Sequence, residues 1–371
     1  MPKKFLLIWL MPWAEFSETL SFGDIQIWNF YKDGPARVQD SQQMLWLAQF
    51  ISCFRNHNGD ELRNVAIVQI GENPFGGWGK NGNYKVRWAA NAIAFAHIAG
   101  GIRNFLAGSV NAYAIDNSER FQLMQVQIDE EGKLHYSKPG TQGISDVADK
   151  HVLFHEPSQN VFKFGVPDRL LLKGLAKIND EQGGTDLWRK LRVCFEWFAN
   201  GWTLSENLST PARFVSLSTS FESLAKQTID DNAVSMAAYA AHRCEFTNLP
   251  KVGKITYGRR KKTTLTVTKP EQFIFEFAQY RNSFVHGDML PWGLIKHTIG
   301  THEFDPRQVM SMVIYSLVVR MLLDANAWSI EAERVKMQQD LRNVVKSLQW
   351  HTQTKIGLSP HVGYTSHNSY A

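Results

Sequence analysis

The stretch PEQFIFEFAQYRNSFVHG, residues 270 to 287, has the spacing of a helix with one broad apolar face. Pro270 suits the first helical turn, and Gly287 is the residue type that commonly follows a helix C-terminus. Aromatic side chains recur at intervals of three and four, namely Phe273, Phe277, Tyr280 and Phe284. Arg281 lies on the adjacent stripe, which is otherwise apolar, so we expect its charge to need an acceptor.

Three polar residues at the end of this predicted helix suit the handling of a phosphodiester. Asn282 and His286 are four apart and share one face. His286 would stand at the helix C-terminus, where the helix dipole favours the protonated imidazole and where a group that titrates near neutral pH can exchange protons. Arg281 offers a guanidinium fork that fits phosphate, and Asn282 can orient a neighbour.

These groups could together cleave RNA without a metal. A base removes the proton of the ribose 2′-hydroxyl, that oxygen attacks the adjacent phosphate, and arginine stabilises the extra charge. One histidine is short of the usual acid and base pair. A second copy of the chain, related by a two-fold axis, would supply the other.

The rest of the chain divides into two patterns. Residues 1–165 mix strand-like and helical runs, which predicts an α+β domain of unknown role. From residue 166 to 350 helical spacing dominates, so we expect an α-helical domain, followed by a polar tail over 351–371. The strand-like runs of the first part are KFLLIWLM, DIQIWNF, NVAIVQI and the two arms that flank EEG.

Two further signals predict helix ends. Gly100 and Gly101 follow a helical run, VRWAANAIAFAHIA, and predict its C-terminus. Asp305 and Pro306 are a cap and first-turn pair in front of MSMVIYSLVVRMLL, which is apolar nearly all round and predicts a central helix.

Composition limits the class of protein. With 371 residues, of which 44% are hydrophobic, the chain can bury a large core, and no segment has the length of apolar residues that a membrane helix needs. The first apolar run is broken by Pro12 and predicts a strand in preference to a signal peptide. Three widely separated cysteines argue against disulfides and zinc. We expect a soluble, cytoplasmic protein without a cofactor or a metal.

Positive charge is concentrated in one segment. Residues 251–270 hold seven of the 40 Lys and Arg residues and no acid, so the remainder carries 33 positive and 35 negative charges. This pattern favours contact with a polyanion, with a solvated loop as the alternative. The candidate RNA-binding residues are Tyr257, Arg259, Arg260, Lys261 and Lys262.

The same residues resemble a known family. Arg281, Asn282 and His286 match the R-polar-x-x-x-H signature of HEPN domains, and Gly287 directly after it is typical of the Apea-like HEPN branch. The upstream run SLSTSFESLAK, with Glu222, resembles the first core helix of that branch. The resemblance covers about residues 200 to 327.

The resemblance implies an all-helical core that dimerises and pairs two motifs in one cleft. Many HEPN domains are metal-independent endoribonucleases of toxin–antitoxin, abortive-infection or other antiviral defence systems, and others are non-catalytic binding modules. Carried over, Arg281 and His286 would be catalytic, Asn282 would assist them, and Glu222 would support the site. The expected partners are RNA, a second copy of the chain and an antitoxin or sensor protein, without a membrane.

Other readings stay open. The main alternative is a non-catalytic module that uses the same residues for dimerisation or nucleotide binding, and a DNA-binding protein is less favoured because no recognition-helix pattern accompanies the basic segment. The run GENPFGGWGKNG, residues 71–82, lacks the Walker spacing and predicts a turn-rich loop. His151, His155 and Glu156 could share a metal, but two histidines without a third ligand nearby favour a structural role.

Overall fold

A computed structural model describes most of the chain. The described residues are 6–14, 16, 18–56, 58–62, 65–72, 80–106, 118–129, 131, 133–137, 153–156, 167–203, 208–225, 233–258, 261–285, 297–299 and 302–351. Within these ranges the protein is mixed α+β, with ten α-helices and one six-stranded sheet beside three two-stranded pairs.

The strands confirm the apolar runs predicted in the first part of the chain. They are β1 Leu6–Met11, β2 Leu20–Phe22, β3 Ile25–Asn29, β4 Phe54–Arg55, β5 Ala66–Ile70, β6 Met124–Ile128, β7 Leu134–Ser137, β8 Phe154–His155, β9 Gly253–Tyr257, β10 Thr263–Val267, β11 His297–Ile299 and β12 His302–Phe304. The large sheet is antiparallel throughout, in the order β2-β3-β5-β1-β6-β7. The arms around EEG form the hairpin β6–β7, as expected.

Ten α-helices lie within the described ranges. They are α1 Phe30–Arg37, α2 Ser41–Ile51, α3 Lys80–Leu106, α4 Arg169–Gln182, α5 Asp186–Gly201, α6 Thr210–Ala225, α7 Ala233–Arg243, α8 Lys269–Val285, α9 Pro306–Asp324 and α10 Glu331–His351. Asp305 caps α9 as predicted: its side chain accepts from the Arg307 N–H, and Gln308 completes a capping box. Nearly every residue of α9 is buried, which confirms it as a central helix.

The sheet has an apolar core on each face, because alternate residues of a strand point to opposite sides. Ile8 and Leu10 of β1 join the cluster that α2 covers, whereas Trp9 and Met11 join a larger cluster with the long helix α3. That larger cluster continues without interruption into α4–α10. The boundary near residue 165 stays a prediction, and buried side chains from both sides of it share one core.

The predicted end of α3 at Gly100 and Gly101 is wrong, since the helix continues to Leu106. Ile102 is fully buried in the large core, and Arg103 forms an ion pair of 2.6 Å with Asp168. Two glycines cost a helix roughly 2 kcal/mol relative to alanine, which this burial and ion pairing can offset. Tertiary contacts that sequence spacing does not reveal therefore set the end of α3.

The basic segment is a β-hairpin formed by β9 and β10, so the expectation of an α-helical second half does not extend to it. Alternating β-branched residues in KITY and TTLTV favour strands, and Gly258 lies in the turn with φ +99°. No helix among the described ranges is both long and apolar enough to cross a membrane.

Candidate functional site

The candidate site lies where α6 and α8 pack together. Glu271 anchors the start of α8: its carboxylate accepts from the backbone N–H and from the hydroxyl of Thr268, both at 2.7 Å. Phe214 of α6 stacks on Phe277 with ring centroids 5.2 Å apart and meets Phe284 edge-on at 5.7 Å. This aromatic contact packs the second turn of α6 against the second half of α8, with polar residues beside it.

The packing brings three predicted site residues together. Arg281 Nη1 donates to Asn282 Oδ1 at 2.9 Å, and Arg281 Nη2 lies 3.7 Å from Glu222 Oε2. The other oxygen of Glu222 accepts from the Ser218 hydroxyl at 3.0 Å. The side chains of Arg281 and Glu222 are 30% and 27% exposed, so the pair is half-buried at the surface.

Arg281 keeps hydrogen-bonding capacity that these contacts do not use. Its Nη2 is too far from Glu222 for a true hydrogen bond, and its Nε is buried without an acceptor among the described residues. A guanidinium has five N–H groups, and the two neighbours can accept from only some of them. A half-exposed arginine of this kind can bind an anion through its outer nitrogens.

A second polar ladder precedes Arg281 on the same helix, and the sequence predictions missed it. Gln272 donates to Glu276 Oε1 at 2.8 Å, while Glu276 Oε2 and the Tyr280 hydroxyl are buried without partners in the described part of the chain. Burial raises the pKa of Glu276 and raises the pKa of Tyr280 to about 12. The steps of four from residue 272 to residue 280 were the signal that could have revealed it.

Several predicted residues lie outside the described ranges. They are His286, Gly287, Arg259 and Arg260. His286 directly follows Val285, the last residue of α8. Arg281, Asn282 and Glu222 are thus brought together, and the position of His286 relative to them stays a prediction.

The hairpin β9–β10 shows its basic residues to solvent. Lys254, Lys261 and Lys262 are exposed, which fits both a polyanion contact and the alternative of a solvated surface segment. Tyr257 is half-buried and packs against the large core, so much of its ring is already covered. That placement weakens the case for Tyr257 as a stacking platform for a base.

The other motifs acquire structural explanations. Glu156 forms an ion pair with Arg120 at 2.9 Å, with both side chains less than a tenth exposed, so its carboxylate is engaged. His155 is exposed at the end of β8, and His151 lies outside the described residues. The described ranges contain no group of three side chains able to hold a metal ion. Most of the glycine-rich run, residues 73–79, also lies outside them.

Comparison with known proteins leaves the function to be argued from the residues themselves. No protein-family model, no curated protein and no solved structure matches the chain.

Proposed function

We propose that this protein is a metal-independent endoribonuclease of HEPN type that serves in a toxin or antiphage defence system. The observation that carries the proposal is Arg281, a partly exposed arginine that Asn282 and Glu222 orient and whose Nε lacks an acceptor among the described residues. It stands five residues before His286 in the sequence. A permanent cation next to a group that titrates near neutral pH suits phosphodiester cleavage.

The wider arrangement in the proposal is an N-terminal α+β domain followed by a helical HEPN-like core over about residues 200–327. The contact of α6 with α8, which holds Glu222 against Arg281, supports a shared site on two neighbouring helices. The protein acts as a cytoplasmic homodimer, in which two copies of α8 line one cleft. RNA is the substrate, and an antitoxin or sensor protein is a further partner.

In the proposed mechanism each group has one task. Arg281 binds the non-bridging oxygens of the scissile phosphate, and Asn282 holds the guanidinium in position. His286 of one copy removes the 2′-hydroxyl proton, and the resulting oxygen attacks phosphorus. The bond from phosphorus to the 5′-oxygen then breaks, and the same histidine of the second copy donates a proton to that oxygen. The products are a 2′,3′-cyclic phosphate and a free 5′-hydroxyl.

The experiment that tests this is a cleavage assay in EDTA with labelled tRNA and mixed RNA. Wild type should produce fragments that end in 2′,3′-cyclic phosphate, and His286→Ala should produce almost none, because the proton transfer is lost. Arg342→Ala is the matched control, since Arg342 is an exposed arginine on α10. Equal cleavage by wild type and His286→Ala would refute the proposed chemistry, and so would silence from wild type as a purified dimer.

One observation favours a second candidate, a non-catalytic module that dimerises or binds a nucleotide. The Arg281–Glu222 ion pair ties α6 to α8 and can serve purely to hold the helices together. In that case no RNA is cut, and Arg281→Ala shifts the dimer dissociation constant or nucleotide affinity. Light scattering and calorimetry on the same variants separate the two candidates.

A further inference from the structure

We propose that the solvent face of the hairpin β9–β10 binds the sugar–phosphate backbone of RNA without reading its sequence. The hairpin face consists of Lys254, Thr256, Thr264 and Thr266, together with the exposed Lys261 and Lys262 beside the turn. The choice of RNA over another polyanion rests on the proposed function. The proposal that this face binds a polyanion rests on the register, exposure and charge of the hairpin.

Register places the polar residues together. Thr264 pairs with Thr256, and Thr266 pairs with Lys254, so these four side chains share one side of the ribbon. All four are exposed, and the hydroxyls of Thr256 and Thr264 lie 3.1 Å apart. Residues two apart on a strand are separated by about 6.8 Å, so the face presents hydroxyls and ammonium groups in a regular row.

The opposite side of the ribbon packs on the core at the base of the hairpin, whereas Thr263 and Leu265 on that side are exposed. Ile255 and Val267 are buried, and a side chain at Gly253 would meet Gln272 of α8 at 2.7 Å. Tyr257 belongs to this inner side and packs against the same core. The aromatic group that could have stacked on a base is therefore turned away from the exposed face.

Charge selects an anionic occupant. The 20 residues from 251 to 270 contain seven basic side chains and no carboxylate, although the rest of the chain carries a small net negative charge. None of the exposed lysines of the hairpin face takes part in an ion pair within the described residues. Lysine ammonium and threonine hydroxyl groups are ordinary ligands of phosphate oxygens in nucleic-acid complexes, and phosphate contacts carry no sequence information.

The hairpin also has a fixed relation to the candidate site. It leads through Thr268 directly into α8, and the 12 residue steps from Lys269 to Arg281 span roughly 18 Å of helix. RNA held on the hairpin face must therefore extend several nucleotides to reach Arg281. The face supplies affinity for longer strands and leaves the chemistry to the other end of the helix.

The test separates binding from cleavage. The probe is a fluorescein-labelled 20-nucleotide RNA with 2′-O-methyl groups, which lacks the attacking hydroxyl, and anisotropy is measured from 50 to 200 mM KCl. The full-length variant Lys254→Ala/Lys261→Ala/Lys262→Ala is compared with a matched control, Lys133→Ala/Lys336→Ala/Lys346→Ala, which removes the same charge from exposed lysines elsewhere. Thermal melting checks that both variants fold.

The hairpin variant should bind at least tenfold more weakly than wild type at 150 mM KCl. Its slope of log affinity against log salt should fall by about 2, since each phosphate contact on single-stranded nucleic acid contributes about 0.7. The control should stay within twofold, and two probes of unrelated sequence should bind alike. An unchanged slope, an equal loss in the control, or binding of the face to anionic lipid vesicles in place of RNA would overturn the inference.

The same assay distinguishes this inference from the proposed function. Wild type that binds the probe through the hairpin face but leaves unmodified RNA intact would sustain the inference and defeat the ribonuclease. Cleavage of unmodified RNA together with an unchanged salt slope in the hairpin variant would support the ribonuclease and overturn this inference.

Discussion

Two arginines at helix junctions differ in how fully their neighbours satisfy them. Arg103, in the last turns of α3, donates through Nη1 to Asp168 at 2.6 Å, to the Tyr315 hydroxyl at 3.2 Å and to Asp340 at 3.4 Å. Arg281 of α8 has one amide acceptor and a carboxylate at 3.7 Å. Their exposures are similar, 25% and 30%, so acceptors and not burial distinguish them.

The two arginines show that the number of acceptors around a guanidinium decides how much of its charge the fold itself pairs. Burial by itself lowers the pKa of Arg103, but Tyr315 and the two aspartates outweigh it and raise that pKa, so the protein stabilises this charge. A charge that the fold neutralises completely has little left to offer a ligand. Among the described residues the charge of Arg281 is only partly neutralised, which the anion binding of the proposed function requires.

The largest effect should come from Arg103→Ala. The change leaves two aspartates without their shared cation, and Asp168 is only 5% exposed on its side chain, so we expect a loss of about 3–5 kcal/mol in the free energy of unfolding. Urea denaturation followed by circular dichroism measures it. Arg342→Ala should cost less than about 0.5 kcal/mol. A loss for Arg103→Ala that is no larger than that of the control would contradict the structural role.

Arg281→Ala should show the opposite profile. Because the pair with Glu222 is half-exposed, we expect a stability change below about 1 kcal/mol. Under the proposed function the rate of RNA cleavage should fall on the order of 10²- to 10³-fold, since a donor to the transition state is removed. Single-turnover cleavage and urea denaturation of the same preparation test both statements. Arg281→Lys keeps the charge without the fork and should recover only part of the rate. A large loss of stability would assign Arg281 to the same class as Arg103.

A change at Glu276 should have a smaller effect on stability, and that effect should depend on pH. Burial raises the pKa of Glu276, so the folded protein retains a proton that the unfolded chain loses above the ordinary glutamate pKa. Its unfavourable contribution is therefore absent at low pH and develops as pH rises through that pKa toward the folded value. Glu276→Gln should raise the melting temperature at pH 8, with the gain shrinking toward pH 4. Glu196→Gln, at an exposed position of α5, should show no such trend. A gain that does not depend on pH would contradict the proposed cause.

The sequence predicts those features that depend on local spacing. The strands β1, β3 and β5 follow from continuous or alternating apolar runs, and the start of α9 follows from Asp305 and Pro306. The end of α3 escaped prediction because it depends on Asp168, 65 residues beyond Arg103. The hairpin β9–β10 was not predicted, because its positive charge suggested a connector. Its β-branched residues nevertheless alternate as they do in strands.

The candidate site likewise combines features that local sequence predicts with features that depend on tertiary packing. That Arg281 needs an acceptor is a local inference from its place on an apolar helix, and adjacent Asn282 meets it. Glu222 stands 59 positions earlier, and its distance from Arg281 is set by the packing of Phe214 against Phe277 and Phe284, which spacing does not specify. The steps of four place Gln272, Glu276 and Tyr280 on one face, but sequence does not show that Glu276 Oε2 and the Tyr280 hydroxyl are buried without a partner in the described part of the chain.

The position of α3 has a consequence for synthesis of the chain. Phe95 of α3 stacks on Phe195 of α5 with centroids 4.5 Å apart, and α3 shares its core with α9, which ends at Asp324. A ribosome that has finished α3 at Leu106 must add 218 more residues before α9 is complete, which takes roughly 10 to 45 seconds at usual rates of elongation. During that interval the apolar side chains of α3 that later pack against α9 lack this partner. We therefore expect the nascent chain to bind chaperones that cover exposed apolar surface.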